Sequence, residues 1–76
     1  MTEFKINLAN MVIRIQGVYD TLREYCKNYI TIDEETEDFS ITVTPEDIQR
    51  ERRTGEYEQN SDNYIEIIMA LLKLAD

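Results

Sequence analysis

Nucleophilic, acid–base and metal chemistry draw on a short list of side chains, and this chain is poor in them. It has no His and one cysteine, Cys26. A structural zinc site needs about four Cys or His ligands, and Ser-His-Asp or Cys-His relays need an imidazole, so these chemistries are excluded. An internal disulfide is excluded with them. The acidic run Asp33, Glu34, Glu35, Glu37 and Asp38 supplies hard oxygen ligands, but a calcium loop also needs ligands at alternate positions, a Gly at its sharp turn and a Glu at its end. No glycine lies between Ile30 and Thr54, and the crowded like charges read instead as a solvated loop. Gly17 and Gly55, the only glycines, are not followed by the Lys-Ser/Thr of a phosphate-binding loop. No catalytic, metal-binding or cofactor-binding residue emerges, and no cofactor is expected in this chain.

Three further groups have candidate roles. Cys26 falls on the apolar side of a helical pattern, where a thiol packs as a small hydrophobe and burial makes it unreactive. Arg50, Arg52 and Arg53 form the one concentrated positive cluster, and guanidinium forks suit phosphate or carboxylate partners. Glu46, Asp47 and Glu51 lie close enough to neutralise them, so a salt-bridged helix surface is favoured over an anion site. If the cluster instead met an acidic partner, its binding would weaken with salt and be lost on charge reversal at Arg52. Tyr19, Tyr25, Tyr29, Tyr57 and Tyr64 lack the interleaved basic residues of a single-strand stacking platform, so core and rim packing explains them better.

Composition narrows the partners. The 76 residues carry eight Lys and Arg against sixteen Asp and Glu, a net charge of -8. That balance repels phosphate backbones and anionic lipid alike, so neither nucleic acid nor membrane is expected. The longest apolar run, Ile67 to Leu72, is far short of the roughly 20 residues that cross a bilayer. Met1 to Lys5 lacks the basic and apolar regions of a secretory signal, and a cytoplasmic location is expected. The length fits one domain, too small to bury much surface, which makes help from a partner surface plausible.

The elements that must position these residues follow from periodicity. Phe4, Ile6 and Leu8 alternate with polar residues, as do Met11, Ile13 and Ile15 with Val12, Arg14 and Gln16, giving two half-buried strands. Only Ala9-Asn10 separates them, which predicts a two-residue hairpin. Gly17 ends the second strand. Val18, Leu22, Tyr25, Cys26 and Tyr29 then recur at helical spacing. Phe39, Ile41 and Val43 alternate in a third strand. Thr44-Pro45-Glu46-Asp47 supplies a capping hydroxyl, a Pro at the first helical position and acids near the positive helix end, so a short polar helix starts there. Gly55 is expected to end it, and the polar stretch around Tyr57 reads as a link.

Ser61 or Asp62 caps a final helix in which Tyr64, Ile67, Ile68, Leu71, Leu72 and Ala75 make an apolar stripe, expected to face the core. Ile65, Met69 and Leu74 fall outside that stripe and are expected on the surface as a partner contact, with Arg50, Arg52 and Arg53 as a second candidate contact. The whole is a small α+β domain, ββαβαα, with a three-stranded sheet covered by helices. The third strand is expected beside the hairpin. The expected core comprises Phe4, Ile6, Leu8, Ile13, Ile15, Leu22, Tyr25, Cys26, Phe39, Ile41, Val43, Ile67, Ile68 and Leu71.

Four stretches carry a resemblance. They are Val12-Ile13-Arg14-Ile15-Gln16-Gly17, the run from Tyr25 to Ile30, the cap and helix from Val43 to Arg52, and Tyr64-Ile65-Glu66 with Lys73-Leu74-Ala75-Asp76. In order and spacing the chain resembles the N-terminal domain of bacterial HPr-kinase-like or ATP-type phosphoenolpyruvate carboxykinase-like proteins. Ile67-Ile68-Met69 departs from that pattern. The resemblance implies a non-catalytic accessory or regulatory domain of a P-loop phosphotransferase. It also implies a following C-terminal domain that carries the Gly-Lys-Ser loop and takes ATP and Mg, and with which this domain packs. The final helix reaches Asp76 with its apolar period still running, so the chain is expected to be cut from a longer protein. In isolation it is expected to form a homo-oligomer through that helix. A free-standing acidic protein–protein interaction module is the alternative.

Overall fold

The computed structural model describes residues 1–32, 36–54 and 61–75. Strands β1 (Thr2–Leu8) and β2 (Met11–Gly17) form an antiparallel hairpin. Its turn residues, Ala9 and Asn10, both have positive φ, 53° and 68°, as a two-residue turn that follows strand twist requires. Helix α1 (Asp20–Tyr25) and a one-turn 3-10 helix (Lys27–Tyr29) lead across to β3 (Phe39–Thr42), which pairs parallel to β2. The sheet order is β1-β2-β3. Helix α2 (Pro45–Arg53) follows, and α3 (Asp62–Ala75) returns across the sheet to pack on α1, α2 and β3. The α+β architecture ββαβαα and the placement of the third strand beside the hairpin match the sequence pattern. Gly55, Tyr57 and the acids Asp33, Glu34 and Glu35 lie outside the described residues.

Alternation along the strands sends Phe4, Ile6, Ile13, Ile15 and Ile41 to one buried face, where Leu22, Val43, Ile48, Ile65 and Ala70 close over them. Four residues expected in this core are exposed: Leu8, Tyr25, Phe39 and Leu71. Leu8 and Phe39 lie toward the turn end of the sheet, and Tyr25 ends α1. Cys26 and Ile67 pack only partly against the core, and Ile68 is half-buried. Burial raises the Cys26 thiol above its ordinary value.

The other face of the sheet is polar. Arg14 donates two bonds to Glu37, at 2.6 and 2.9 Å, and one to Glu3 at 2.7 Å. Asp38 accepts from the Val12 N–H at 2.8 Å and returns its own N–H to the Val12 carbonyl at 2.7 Å. The described end of the acidic run, Glu37 and Asp38, is a loop as the sequence reads, and its two carboxylates are in addition bonded to β2.

Candidate interaction surface

The sheet edge is guarded where β3 meets α2. Thr44 caps α2, its hydroxyl accepting from the Asp47 N–H at 3.1 Å while the Asp47 carboxylate accepts from the Thr44 N–H at 3.0 Å. The Val43 N–H points into the sheet, to the Gln16 carbonyl at 2.9 Å. Across that planar peptide the Thr42 carbonyl points outward, and Lys73 Nζ binds it at 2.7 Å while reaching Asp47 at 3.3 Å. A lysine over an open edge opposes strand addition there. The Thr44 N–H and the Lys73 ammonium hold the Asp47 carboxyl below the ordinary carboxylate value.

Acids engage Arg50 and Arg52 of the basic cluster, and a backbone carbonyl accepts from Arg53. Arg50 pairs with Asp47 at 3.1 Å, Arg52 with Asp62, and Arg53 donates to the Gln49 carbonyl at 3.3 Å. This is the salt-bridged helix surface that the sequence favoured, with Asp62 supplying a partner that local spacing had not indicated. The Tyr19 hydroxyl also bonds Asp62, at 3.3 Å, and burial together with that carboxylate raises the Tyr19 phenol above its ordinary value.

Helix α3 is turned over relative to its sequence pattern. Ile65 is fully buried, 0 % exposed, and Met69 and Leu74 pack partly against the core. None of the three forms the projecting contact expected of them. Instead Tyr64, Leu71, Leu72 and Ala75 face outward, with Ile68 half-buried between them. The cause is Glu66. Its carboxylate accepts the Val18 N–H and, at 3.0 Å, the Tyr19 N–H, where the chain leaves β2 and enters α1. It is also 0 % exposed. A carboxylate can be buried only where donors replace its water, and those donors lie behind α3. Lys73 is drawn to the same side by Thr42 and Asp47. Two polar anchors thus fix the rotation of the helix, and the most apolar side is left outside.

Gly17 makes that anchor possible. A Cβ on it would sit 2.8 Å from Leu22 Cδ2, so that the buried leucine would have to shift, and 3.0 Å from Glu66 Oε2, a tight approach that the carboxylate would have to give way to. Sequence reasoning missed Glu66, although it is the only charge between Asp62 and Lys73.

The outward stripe of α3 borders a groove of about 220 Å³ lined by Ile6, Leu8, Tyr25, Cys26, Tyr29, Leu71 and Leu74. Tyr25, Tyr29, Leu71 and Leu72 are 57, 52, 46 and 51 % exposed. A contiguous apolar surface of this kind marks an interaction site more often than chance exposure does. Among the described residues no helix is long and apolar enough to cross a membrane. Comparison with protein families, with curated proteins and with solved structures finds no match to this chain.

Proposed function

We propose that the chain is a non-catalytic interaction domain that docks through the apolar face formed by the outer stripe of α3 and the groove beside it. The rotation of α3 carries this reading. A surface helix ordinarily turns its polar side to water, whereas α3 buries Glu66, draws Lys73 over the sheet edge and turns Leu71 and Leu72 outward. On the resemblance of its sequence, the domain serves as an accessory or regulatory part of a P-loop HPr-kinase-like or phosphoenolpyruvate carboxykinase-like phosphotransferase, working in the cytoplasm. ATP and Mg belong to the catalytic domain of that protein.

Polar substitution on the face tests the docking role. Tyr29→Ser and Leu72→Ser should leave the circular dichroism spectrum unchanged and shift the thermal midpoint by only a few degrees, while reducing binding of an apolar dye. Loss of the folded state in both would show that the face is structural and would sink the proposal. The parent protein is tested separately: its reading frame should continue past Asp76 into a Gly-Lys-Ser loop within a few tens of residues. A stop codon there would favour a free-standing interaction module.

A further inference from the structure

We infer that the partner on the apolar face is a second copy of the same chain, held by an antiparallel contact between two α3 helices; this rests on the reading of the chain as an interaction domain. Charge gives the first argument. The three charges of α3 are all engaged within the molecule: Asp62 with Arg52, Glu66 with the Val18 and Tyr19 amides, and Lys73 with Thr42 and Asp47. The outer stripe is therefore neutral in a chain of net charge -8. A basic partner attracted by the overall acidity would meet no α3 carboxylate there, whereas a neutral apolar stripe is complementary to itself.

Shape gives the second argument. Ile68, Leu71 and Leu72 form a ridge, and the groove lies directly beside it, with Leu71 belonging to both. A two-fold rotation about an axis near Leu71 sets the ridge of each copy over the groove of the other, the reciprocal match that a symmetric interface requires. Area sets the strength. Tyr25, Tyr29 and Tyr64, each about half exposed, together offer roughly 300 Å². With the leucines the patch is the apolar centre of an interface near or below the standard of about 800 Å² per partner. The dimer is therefore concentration-dependent rather than obligate.

Sedimentation equilibrium of the full chain tests this. At about 1 mM, enough to populate a pairing with Kd near 100 μM, the mass should be that of two 9.0 kDa chains, falling to one on dilution. Raising salt from about 0.05 to 0.5 M should tighten the pairing, because screening removes repulsion between two acidic copies; weakening would point to a charge-steered contact and overturn the inference. Leu71→Glu and Leu71→Lys, each alone, should weaken pairing by at least about 30-fold, and an equimolar mixture should recover it. Failure of the mixture to recover would overturn the symmetric geometry. If position 71 does not tolerate charge, Leu72→Glu and Leu72→Lys replace it. A folded chain that stays monomeric at about 1 mM in every salt overturns the second-copy inference and leaves the interaction face standing. Unfolding of all four variants overturns both.

Discussion

Glu66 is the residue on which three elements converge. Its carboxylate joins α3 to the end of β2 and the start of α1 through two backbone N–H groups, and hydrogen bonds to a charged acceptor are worth more than neutral ones. Glu66→Gln keeps the size but sets an NH₂ against one of those N–H donors. It should cost about 2–3 kcal/mol, read as a lower urea midpoint with an unchanged slope. An unchanged midpoint would show that the anchor does not hold α3. Gly17→Ala attacks the same joint from the other side, since its Cβ would overlap Leu22 and approach Glu66 tightly; overpacking should cost about 1–3 kcal/mol. Because both changes act on one contact, the double variant should lose less than the sum of the singles. Strict additivity would mean that Gly17 matters only for Leu22.

At the scale of elements, the cap of α2 predicts an acid response. Asp47 has its folded-state pKa lowered, so its contribution is fully present above the ordinary carboxylate range and is lost as pH falls through the folded value. Asp47→Asn keeps an oxygen for the Thr44 N–H but loses the charge that faces Lys73 and the helix N-terminus; it should cost about 0.5–1 kcal/mol at pH 7, and the gap to the parent chain should close as pH falls below about 4. A gap constant across that window would remove the cap from the explanation. The hairpin predicts a gain. Ala9 sits at φ 53°, where a Cβ is strained, and Ala9→Asn together with Asn10→Gly supplies the preferred turn residues. Relief of left-handed strain at both positions should outweigh the freedom that Gly adds to the unfolded chain, and thermal melts should show about 1 kcal/mol of added stability. These two devices were legible in sequence because each is written within four consecutive residues. The strand faces were equally legible, since alternation alone places Phe4, Ile6, Ile13, Ile15 and Ile41 inside. The rotation of α3 was not. Apolar periodicity chose the side of Leu71 and Leu72, and the choice is reversed by bonds from Glu66 to residues 47 and 48 positions away and from Lys73 to one 31 positions away. No local pattern contains them. Leu8 and Phe39 fit the alternation and still lie exposed, since alternation selects a face and cannot say how far along it the helices reach.

At the scale of the molecule, the proposed pairing through the apolar face predicts that stability depends on concentration. A contact made only by the folded chain stabilises it by mass action. For a folded dimer that melts to two unfolded chains, each tenfold rise in concentration adds about 0.7 kcal/mol per chain, half of the 1.4 kcal/mol that a factor of ten represents. In a domain of this size, about 1 kcal/mol moves the thermal midpoint by 4–8 °C, so the midpoint should climb by about 3–5 °C per decade. The slope should appear only where the folded chain is largely dimeric and flatten on dilution below the pairing constant. Leu71→Glu should abolish the slope while leaving the dilute-limit midpoint nearly unchanged, because Leu71 is half in water in the single chain and its removal from the face takes little from the core. Scanning calorimetry on both chains from about 10 μM to 1 mM separates the outcomes. A midpoint independent of concentration in the parent chain would mean that folding leaves no surface that a second copy stabilises. A shared slope in both chains would place the contact elsewhere on the molecule, away from α3.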